Sequence, residues 1–368
     1  MAKSGHLQRI QLRGFRSIRE MDLALAPINV LIGPNGAGKS NFISFFRFMD
    51  NLRQKELQLF VRAQLGGADR ALFFGRKTTD SLAIDLHFSP NSYRAKLVPT
   101  IDDSLVFAAE SVVFHGDESD GYGSGDRSYP LARAGSLESE LPMLHIRGAM
   151  TAPRHVARYL SDWRVYHFHD TSDTAKVKGA YSVHATDRLM PQGENLAAFL
   201  YGMRELEAYR QIVHTIQRVA PFFHDFVFQP ESNGLIRLRW KHKGSDDYFD
   251  ANMLSDGTLR FMCLTTLLLQ PTPPTMILLD EPELGLHPFA IQLLAGMMRS
   301  ASESTQIIAS TQSVTLANEF GWQDIVIVDQ AENASEFRRL QESDVAHWLE
   351  QYRIGDIWQM NALGGTPE

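Results

Sequence analysis

Apolar and polar residues follow two different patterns along this chain of 368 residues. In the N-terminal third, four segments alternate with a period of two and predict half-buried strands of a mostly antiparallel sheet. A segment with helical spacing, SNFISFFRFMDNLRQ at 40–54, interrupts them. The four strand-like segments are LQRIQLRGF, SLAIDLHF, YRAKLVP and LVFAAESVVFHG.

The C-terminal third has a different hydrophobic pattern, in which short apolar runs alternate with segments of helical spacing. Because parallel strands are covered on both faces, they appear in a sequence as continuous apolar runs. Together with one run from the N-terminal third, this alternation predicts an α/β core with a buried, largely parallel sheet. The strand-like runs are PINVLIG, TMILLD, TQIIAST and DIVIVDQ, and the helical segments are LSDGTLRFMCLTTLLLQ, HPFAIQLLAGMMRSA and SVTLANEF.

The middle of the chain is less regular. Residues 117–141 are rich in Gly, Ser and Asp, which predicts a mobile loop. Residues 150–225 are predicted to be mainly helical, with the clearest helical stretch at 197–220. GLIRLRW and DYFDANM then return to strand-like alternation.

Composition narrows the class of protein. The net charge is −7, but residues 1–80 carry 13 Lys and Arg against 6 Asp and Glu, an excess of positive charge that suits contact with phosphates. The single cysteine, Cys263, excludes an internal disulfide and suits a reducing cytoplasm. No apolar run approaches the roughly 18 residues of a membrane span, and the N-terminus has no secretory h-region. We therefore expect a cytoplasmic protein without a membrane partner.

GPNGAGKS, residues 33–40, matches the G-x-x-x-x-G-K-[ST] phosphate loop and lies between a predicted strand and a predicted helix. Glycines let such a loop wrap so that backbone N–H groups point at phosphates, and the helix N-terminus adds partial positive charge. Lys39 is predicted to contact the β- and γ-phosphates, and the Ser40 hydroxyl to ligate Mg²⁺. A glycine-rich turn is the alternative, but it has no need for Lys-Ser at this place. The predicted nucleotide-binding residues are Gly33, Pro34, Asn35, Gly36, Ala37, Gly38, Lys39, Ser40 and Asn41.

TMILLDEPELGLHP, residues 275–288, predicts the acidic partner of the phosphate loop. A buried strand ends here in two carboxylates, which are costly unless they face a cation or a polar cleft. Asp280 is predicted to hold Mg²⁺, and Glu281 to act as the general base on the attacking water. Ordinary surface acids at an exposed strand end are the alternative. With the phosphate loop, the pair predicts binding of a nucleoside triphosphate with Mg²⁺, and its hydrolysis.

LSDGT, residues 254–258, opens an apolar helix with a polar trio. Ser255 or Asp256 can cap that helix by accepting hydrogen bonds from its first free N–H groups. The same place is also an anion site, because a helix N-terminus favours negative charge. Capping and contact with a phosphate are compatible functions for these residues.

The order of the three motifs resembles the ATP-binding-cassette (ABC) superfamily, whose signature has the form Leu-Ser-Gly-Gly. This chain has Asp256 at the third signature position, a variant typical of the RecF/OLD-like branch. The resemblance is most specific over residues 7–50 and 250–330. In that superfamily, the signature of one protomer binds the γ-phosphate held by the other. The resemblance thus implies that the signature trio, Ser255, Asp256 and Gly257, completes a site across an ATP-dependent homodimer.

Other segments fit the same branch. LRGFRSI resembles its first-strand pattern, which implies that Arg16 and Ser17 approach the nucleotide; a surface turn is the alternative. ELGLHP resembles a segment that lines the dimer interface, although His287 is equally a residue of the first turn of a helix. Relatives often carry His where this chain has Gln312, so we expect Gln312 to take part in catalysis as a neutral hydrogen-bond donor. Gln64 is a candidate for the glutamine loop.

The resemblance implies an α/β fold, an ABC-type P-loop ATPase head. It has a mixed or parallel core sheet flanked by helices, an antiparallel β lobe and a mainly helical insertion. The predicted segments are an N-terminal ATPase lobe with the phosphate loop (Walker A) at 1–115, the mobile loop and helical insertion at 116–234, a C-terminal ATPase lobe with the signature and the acidic pair (Walker B) at 235–340, and a tail at 341–368.

The predicted function is an ATP-binding and ATP-hydrolysing switch with ATP and Mg²⁺ as cofactors. By analogy with the branch, it gates nucleic-acid binding or a separately encoded effector protein in DNA repair or anti-phage defence. The chain has no sustained heptads for a coiled coil and too short a tail for a toprim domain, which predicts a stand-alone bacterial ATPase. The alternatives are a transporter's ATPase subunit and a non-hydrolysing ATP sensor or scaffold.

YHFHDTSDTAK, residues 166–176, belongs to none of these motifs. His167 and His169 are predicted to share one face of a strand, with Asp170 beside them. They could bind a metal, contact a neighbouring loop or meet a partner. The sequence leaves these alternatives open.

Overall fold

The computed structural model describes residues 6–116, 125–142 and 152–364. Packing divides the chain into two units. The discontinuous unit is Met1–Arg164 with Gly321–Glu368, and the central unit is Val165–Phe320. This division concerns packing, so the four functional segments named above remain predictions.

The strands of the described residues include all those that the apolar and alternating runs predict. They are β1 (Arg9–Phe15), β2 (Ile18–Ala24), β3 (Ile28–Ile32), β4 (Leu82–His87), β5 (Asn91–Pro99), β6 (Leu105–Gly116), β7 (Gly125–Pro130), β8 (Trp163–Tyr166), β9 (Ala180–Ser182), β10 (Phe223–Phe226), β11 (Leu235–Arg237), β12 (Arg239–His242), β13 (Tyr248–Asp250), β14 (Met276–Asp280), β15 (Gln306–Thr311), β16 (Ile325–Ala331) and β17 (Ala334–Arg339).

The helices differ more in length. They are α1 (Lys39–Gln54), α2 (Leu57–Phe60), α3 (Ala68–Ala71), α4 (Ala152–Ser161), α5 (Leu196–Met203), α6 (Glu207–Val219), α7 (Asp256–Leu269), α8 (Pro288–Ala301), α9 (Val314–Ala317), α10 (Glu342–Val345) and α11 (Ile354–Gln359). Within the described residues, no helix combines the length and the hydropathy needed to cross a bilayer.

The discontinuous unit carries the predicted antiparallel sheet, in the order β2-β1-β4-β5-β6-β7. In the same unit, β16 pairs in parallel with β3 and antiparallel with β17. All five residues of β3 are buried, as expected for a parallel strand covered on both faces. The strand that leads into the phosphate loop is therefore covered by packed residues on both faces.

A cluster of phenylalanines packs α1 against the antiparallel sheet. Phe15 of β1 meets Phe45 and Phe48 edge-to-face, with ring centroids 5.9 and 5.7 Å apart. Positions three and four apart face the same side of a helix, so the FISFFRF run buries its aromatic rings together. This packing holds the helix that follows the phosphate loop.

The central unit contains a parallel pair, β14 and β15, whose residues are buried almost throughout. Two smaller antiparallel groups, β9 with β11 and β10-β12-β13, lie in the same unit. The long apolar helix α7 packs on α6 and α8. The motifs at the ends of β14 and α7 are thus carried by well-buried elements.

Three predictions for the middle of the chain need correction. The structure places β7 where a mobile loop is predicted; its residues are mostly exposed, and an edge strand tolerates such a polar sequence because only its backbone must pair. Residues 117–124 of the predicted loop lie outside the described residues. The helical stretch at 197–220 is two helices, because Leu206 is extended between them. Much of 167–195 is irregular, although the sequence predicts mainly helix there.

Candidate nucleotide site

The phosphate loop connects β3 to α1 in the discontinuous unit. A Cβ on Gly33 would lie 2.0 Å from the carbonyl oxygen of Val328. A Cβ on Gly38, whose φ is +114°, would lie 2.0 Å from Ser335 Oγ. Gly36 has no atom within 4 Å of such a Cβ. Two of the motif glycines are therefore required because the loop packs directly on β16 and β17.

Lys39 begins α1 and is buried. Its Nζ donates to the carbonyl oxygens of Gly33 at 2.5 Å and Pro34 at 2.9 Å. A buried ammonium is costly unless its protons have acceptors, so the carbonyls of the loop stabilise the charge there. The next residue, Ser40, is exposed, which leaves its hydroxyl accessible from solvent.

Arg16 and Ser17 lie in the turn between β1 and β2. Ser17 Oγ accepts from Asn41 Nδ2 at 2.6 Å and from Ser335 Oγ at 2.7 Å, so it joins the first turn of α1 to β17. Arg16 has a φ of +51° and donates to Ser44 Oγ at 3.1 Å, and burial lowers the pKa of its guanidinium. Both residues lie beside the helix that follows the phosphate loop; a contact with nucleotide remains a prediction.

Ser335 is a residue that the sequence analysis missed. It is only 2% exposed, and its backbone N–H donates to the Ser17 carbonyl oxygen at 2.7 Å. The pairing of β17 with β16 brings it behind Gly38, almost three hundred positions away in the chain. No local motif signals such a contact.

The acidic pair lies at the end of β14 in the central unit. Asp280 is opposite Ser310 of β15, and Asp280 Oδ1 accepts a hydrogen bond from Ser310 Oγ. The Glu281 N–H donates to the Ser310 carbonyl oxygen at 2.9 Å. Glu281 has a φ of +41°, a left-handed conformation that costs a non-glycine residue about 1–3 kcal/mol and recurs at functional sites. The strand thus ends in a strained turn between its two carboxylates.

Two residues at the end of β15 hold the glutamates that follow β14. Gln312 Nε2 donates to Glu281 Oε1, and Thr311 Oγ1 donates to Glu283 Oε1. Glu283 is 8% exposed, and burial raises the pKa of its carboxyl group. Sequence reasoning missed Glu283, although a second acid three residues after Asp280 is visible in the sequence.

The signature trio forms the start of α7. Ser255 is the cap, because its Oγ accepts from the Thr258 N–H at 3.3 Å, whereas Asp256 is the first helical residue. Both side chains are exposed. A Cβ on Gly257 would lie 2.4 Å from the carbonyl oxygen of Gly285, so glycine lets α7 approach the loop after β14. Contact of the trio with a phosphate in a partner protomer remains a prediction.

Arg260 of α7 was also missed. Its Nε donates to the carbonyl oxygen of Phe168 at 3.0 Å and its Nη2 to that of His169 at 3.2 Å, and Nη1 donates to the carbonyl oxygen of Leu284. The side chain is 5% exposed, and burial lowers the pKa of the guanidinium. One buried side chain therefore connects the signature helix to two other segments.

His167 and His169 lie in irregular chain after β8, so the prediction that they share a strand face is wrong. The strand ends at Tyr166, and His169 Nε2 instead lies 2.5 Å from the carbonyl oxygen of Asp280. Asp170 accepts from the N–H and hydroxyl of Ser172. Among the residues that the structure describes, no group of three His, Cys, Asp or Glu is arranged to hold a metal ion.

Two further candidates have clear positions. His287 is the cap of α8, and its Nδ1 accepts from the Phe289 N–H at 3.3 Å, which supports its interpretation as a helix-start residue. Gln64 is exposed within a single π-helical turn at 61–65. A role for Gln64 in a glutamine loop remains a prediction.

The two sets of motif residues offer complementary chemistry. The discontinuous unit provides a buried lysine and helix-terminal N–H groups, which suit phosphate oxygens. The hydroxyl of Ser40 and the carboxylate of Asp280 are hard oxygen donors of the kind that Mg²⁺ prefers. The carboxylate of Glu281 is the candidate proton acceptor.

Comparison with known proteins identifies relatives of part of the chain. A segment of 82 residues is 34% identical to the DNA replication and repair protein RecF of Acidothermus cellulolyticus, covering 22% of each chain. A segment of 84 residues is 31% identical to the OLD nuclease of Thermus scotoductus, covering 23% of this chain and 15% of the nuclease. The matches thus span at most about a quarter of the length of these relatives.

Solved structures extend the similarity to nearly the whole fold. An SMC head bound to the C-terminal winged-helix domain of ScpA matches with a TM-score of 0.55 at 15% identity, covering 93% of this chain and 99% of that one. An SMC head with an extended coiled coil, bound to the C-terminal domain of ScpA derived from Pyrococcus furiosus, gives the same TM-score at 14% identity, covering 94% and 99%. The predicted fold class, an ABC-type α/β head with mixed sheets flanked by helices, is confirmed.

A family model provides the assignment for most of the chain. The family AAA_21, described as "AAA domain, putative AbiEii toxin, Type IV TA system", matches residues 28–318. These residues include the phosphate loop, the signature trio and the acidic pair. Membership of an ATPase family implies nucleotide binding. The chain belongs to the AAA_21 family and is a member of the ABC superfamily of ATPases, of the SMC, RecF and OLD type.

Proposed function

We propose that this protein binds and hydrolyses ATP with Mg²⁺, and that it acts as a switch by dimerising around ATP. The observation that carries the proposal is the acidic turn, in which Gln312 and Ser310 hold the carboxylates of Glu281 and Asp280 at the end of a buried strand. A phosphate loop with a buried lysine in the same chain supports it. A protein that only binds nucleotide does not need a glutamate held in a fixed position after the strand.

In this proposal, each residue has one task. Lys39 and the N–H groups at the start of α1 bind the phosphates, and Arg16 and Ser17 support that end of the site. Ser40 and Asp280 would hold Mg²⁺, which offsets negative charge on the phosphates when bound.

The water that attacks the γ-phosphate would be oriented by Glu281. Its carboxylate accepts the proton of the water, while Gln312 keeps that carboxylate in place with an amide N–H. Because Gln312 carries no titratable proton, we expect the pH dependence of turnover to lack a contribution from this position.

The signature trio would act on the partner protomer. Ser255 and Asp256 are exposed at the N-terminus of a 14-residue helix, where backbone N–H groups and the helix dipole favour a phosphate. ATP would join two protomers through these contacts, and loss of the γ-phosphate would release them. The dimer would gate nucleic-acid binding or a separate effector protein. A role in DNA repair or anti-phage defence is proposed by analogy with RecF and OLD relatives.

The test is the mass in solution, with and without Mg-ATP, together with phosphate release. Glu281→Gln is expected to lower turnover by about 10²–10⁴-fold, as for loss of a general base, and to accumulate an ATP-dependent dimer. Adding Ser255→Arg is expected to abolish that dimer, because an extra side chain enters the phosphate contact. Ser300→Arg, at an exposed position near the end of α8, is the control and is expected to keep the dimer.

A mass that never responds to ATP would remove dimerisation from the proposal. Full turnover in Glu281→Gln would remove the assigned base. A second function, a non-hydrolysing ATP sensor, is favoured by the Gln312 hydrogen bond, because it occupies one of the two Glu281 oxygens that could accept the proton of the attacking water. Absence of phosphate release from the wild-type protein, with intact ATP-dependent dimerisation, would identify the sensor.

A further inference from the structure

The strained turn after β14 is held by a group outside the sheet. The peptide group between Asp280 and Glu281 has two polar atoms, a carbonyl oxygen and an N–H. The N–H donates to the Ser310 carbonyl oxygen at 2.9 Å. The carbonyl oxygen lies 2.5 Å from His169 Nε2. Because a carbonyl can only accept, Nε2 of His169 carries the proton and donates it.

This peptide group joins the two acids. A change in the ψ of Asp280 or the φ of Glu281 would reorient the peptide group and redirect one carboxylate relative to the other. Glu281 is in a left-handed conformation with φ of +41°, which persists only where surrounding contacts enforce it. Ser310 contacts one side of the peptide and His169 the other, so the histidine is one of the contacts that hold this peptide in place.

His169 is positioned in turn by the signature helix. Arg260 Nε donates to the carbonyl oxygen of Phe168, and Nη2 donates to that of His169. The guanidinium is planar and rigid, so it fixes this backbone more closely than a lysine can. A continuous path of hydrogen bonds therefore runs from α7, through the backbone of 168–169 and the imidazole, to the peptide between the two acids.

We propose that His169 is a positioning residue for the Asp280–Glu281 turn, and that Arg260 couples this position to the signature helix. The inference rests on the proposed function, since Asp280 and Glu281 are taken to serve ATP hydrolysis. It assigns a role to the YHFHD segment, which belongs to none of the nucleotide-binding motifs. In this role neither residue touches ATP.

The first variant is His169→Phe, which keeps a ring but removes the donor. We expect kcat for phosphate release to fall about 10- to 100-fold, as for misplaced catalytic groups. His169→Gln keeps an N–H at a similar reach and is expected to recover most of the turnover. His214→Phe, at an exposed position of α6, is the control and should match the wild-type protein.

Arg260→Lys then tests the path to α7. Alone, it is expected to lower kcat, because a single ammonium cannot bond three carbonyl oxygens in the geometry of a guanidinium. If Arg260 acts through His169, the same change should have little further effect in His169→Phe, so that the two losses are strongly non-additive. Additive losses would overturn the coupling.

A second readout separates this inference from the proposed function. The affinity for a fluorescent ATP analogue is measured for the wild-type, His169→Phe and His169→Gln proteins. Each protein is titrated with the analogue once in Mg²⁺ and once in EDTA, which removes the Mg²⁺. We expect His169→Phe to weaken only the Mg²⁺-dependent binding, because Asp280 is misplaced, and His169→Gln to restore it. A wild-type protein without phosphate release would overturn the proposed hydrolysis, while this Mg²⁺-specific loss would still support positioning. Equal binding and turnover in all three proteins would overturn the inference, as would a His169→Gln defect as large as that of His169→Phe.

Discussion

In the phosphate loop, Lys39 is held by carbonyl oxygens five and six positions away in the chain, whereas at the acidic turn the side chains that hold Glu281 and Glu283 come from 31 and 28 positions away. The first arrangement is mainly local backbone geometry. The second depends on two buried strands that lie in the correct register. The phosphate loop should therefore fail when its backbone cannot adopt its path, and the acidic turn when a distant partner is removed.

The comparison also concerns glycine. In the loop, Gly33 and Gly38 are needed because atoms of β16 and β17 occupy the space of a side chain. At the acidic turn, the left-handed residue is Glu281, which has a side chain and is held by neighbouring contacts instead. The phosphate loop uses glycine where a side chain would not fit, whereas the acidic turn places a left-handed conformation on a glutamate.

The largest expected effect comes from Gly38→Ala. Its Cβ would overlap Ser335 Oγ and adopt a left-handed conformation, so we expect ATP binding to be lost and the melting temperature to fall. The control, Gly36→Ala, is also left-handed, with φ of +80°, but enters open space. It should cost only about 1–2 kcal/mol of stability.

Ser335→Gly in the Gly38→Ala background removes the overlapping atoms and should restore part of the binding of ATP. Isothermal titration with ATP and thermal unfolding of the four proteins measure these differences. Equal binding by Gly38→Ala and Gly36→Ala would contradict the close-packing argument for the loop.

A smaller effect is expected at Glu283, the buried acid of the turn after β14. Glu283→Ala leaves the Thr311 hydroxyl without its acceptor, a loss of about 1–3 kcal/mol, whereas Glu283→Gln keeps an acceptor oxygen. Burial raises the pKa of Glu283 above its ordinary value of 4.5, so the folded state binds this proton more tightly than the unfolded state. The contribution to stability is therefore present below pH 4.5 and is lost as the pH rises through the raised value.

Thermal unfolding across this pH range should show that Glu283→Gln removes the loss of stability that the wild-type protein shows as the pH rises. A Gln variant with the same pH dependence as the wild-type protein would show that another group is responsible. Phosphate release by Glu283→Gln is expected to stay near the wild-type rate, since the amide keeps an acceptor oxygen for the Thr311 hydroxyl.

The smallest expected effect concerns a histidine of the discontinuous unit. Its contribution to stability changes with pH in the direction opposite to that of Glu283. Burial lowers the pKa of His87 below 6.5, against the attraction of Asp85, while Arg94, His115 and Arg9 lower it further. The unfolded state then binds this proton more tightly, so stability falls as the pH drops below 6.5 until the lowered value is reached. His87→Gln is expected to reduce this loss in thermal unfolding between pH 7 and pH 5. An unchanged acid sensitivity would point to another histidine.

Several elements were predictable because their signals are local. The alternation of apolar runs predicts β3, β14, β15 and β16 as buried strands, and the structure confirms them. The polar start of α7 predicts a cap, which Ser255 provides. In each case a few consecutive residues specify both the backbone conformation and its burial.

Other parts were not predictable for reasons that are equally specific. The edge strand β7 has a polar, glycine-containing sequence, and only pairing with β6 makes it a strand. His169 has the residue type of a metal ligand, but its partner is a backbone carbonyl 111 positions away. A backbone acceptor has no residue type, so no sequence pattern points to it.

The motifs follow from the amino-acid sequence alone: a glycine loop before a helix, two acids after an apolar strand, and a polar trio at a helix start. These depend on short-range conformational preference and burial, which neighbouring residues specify. The contacts around the motifs follow only from the folded chain. Ser335, Glu283, Arg260 and His169 each bond a partner in a distant segment, because strand register and helix packing choose the partners of a buried polar group.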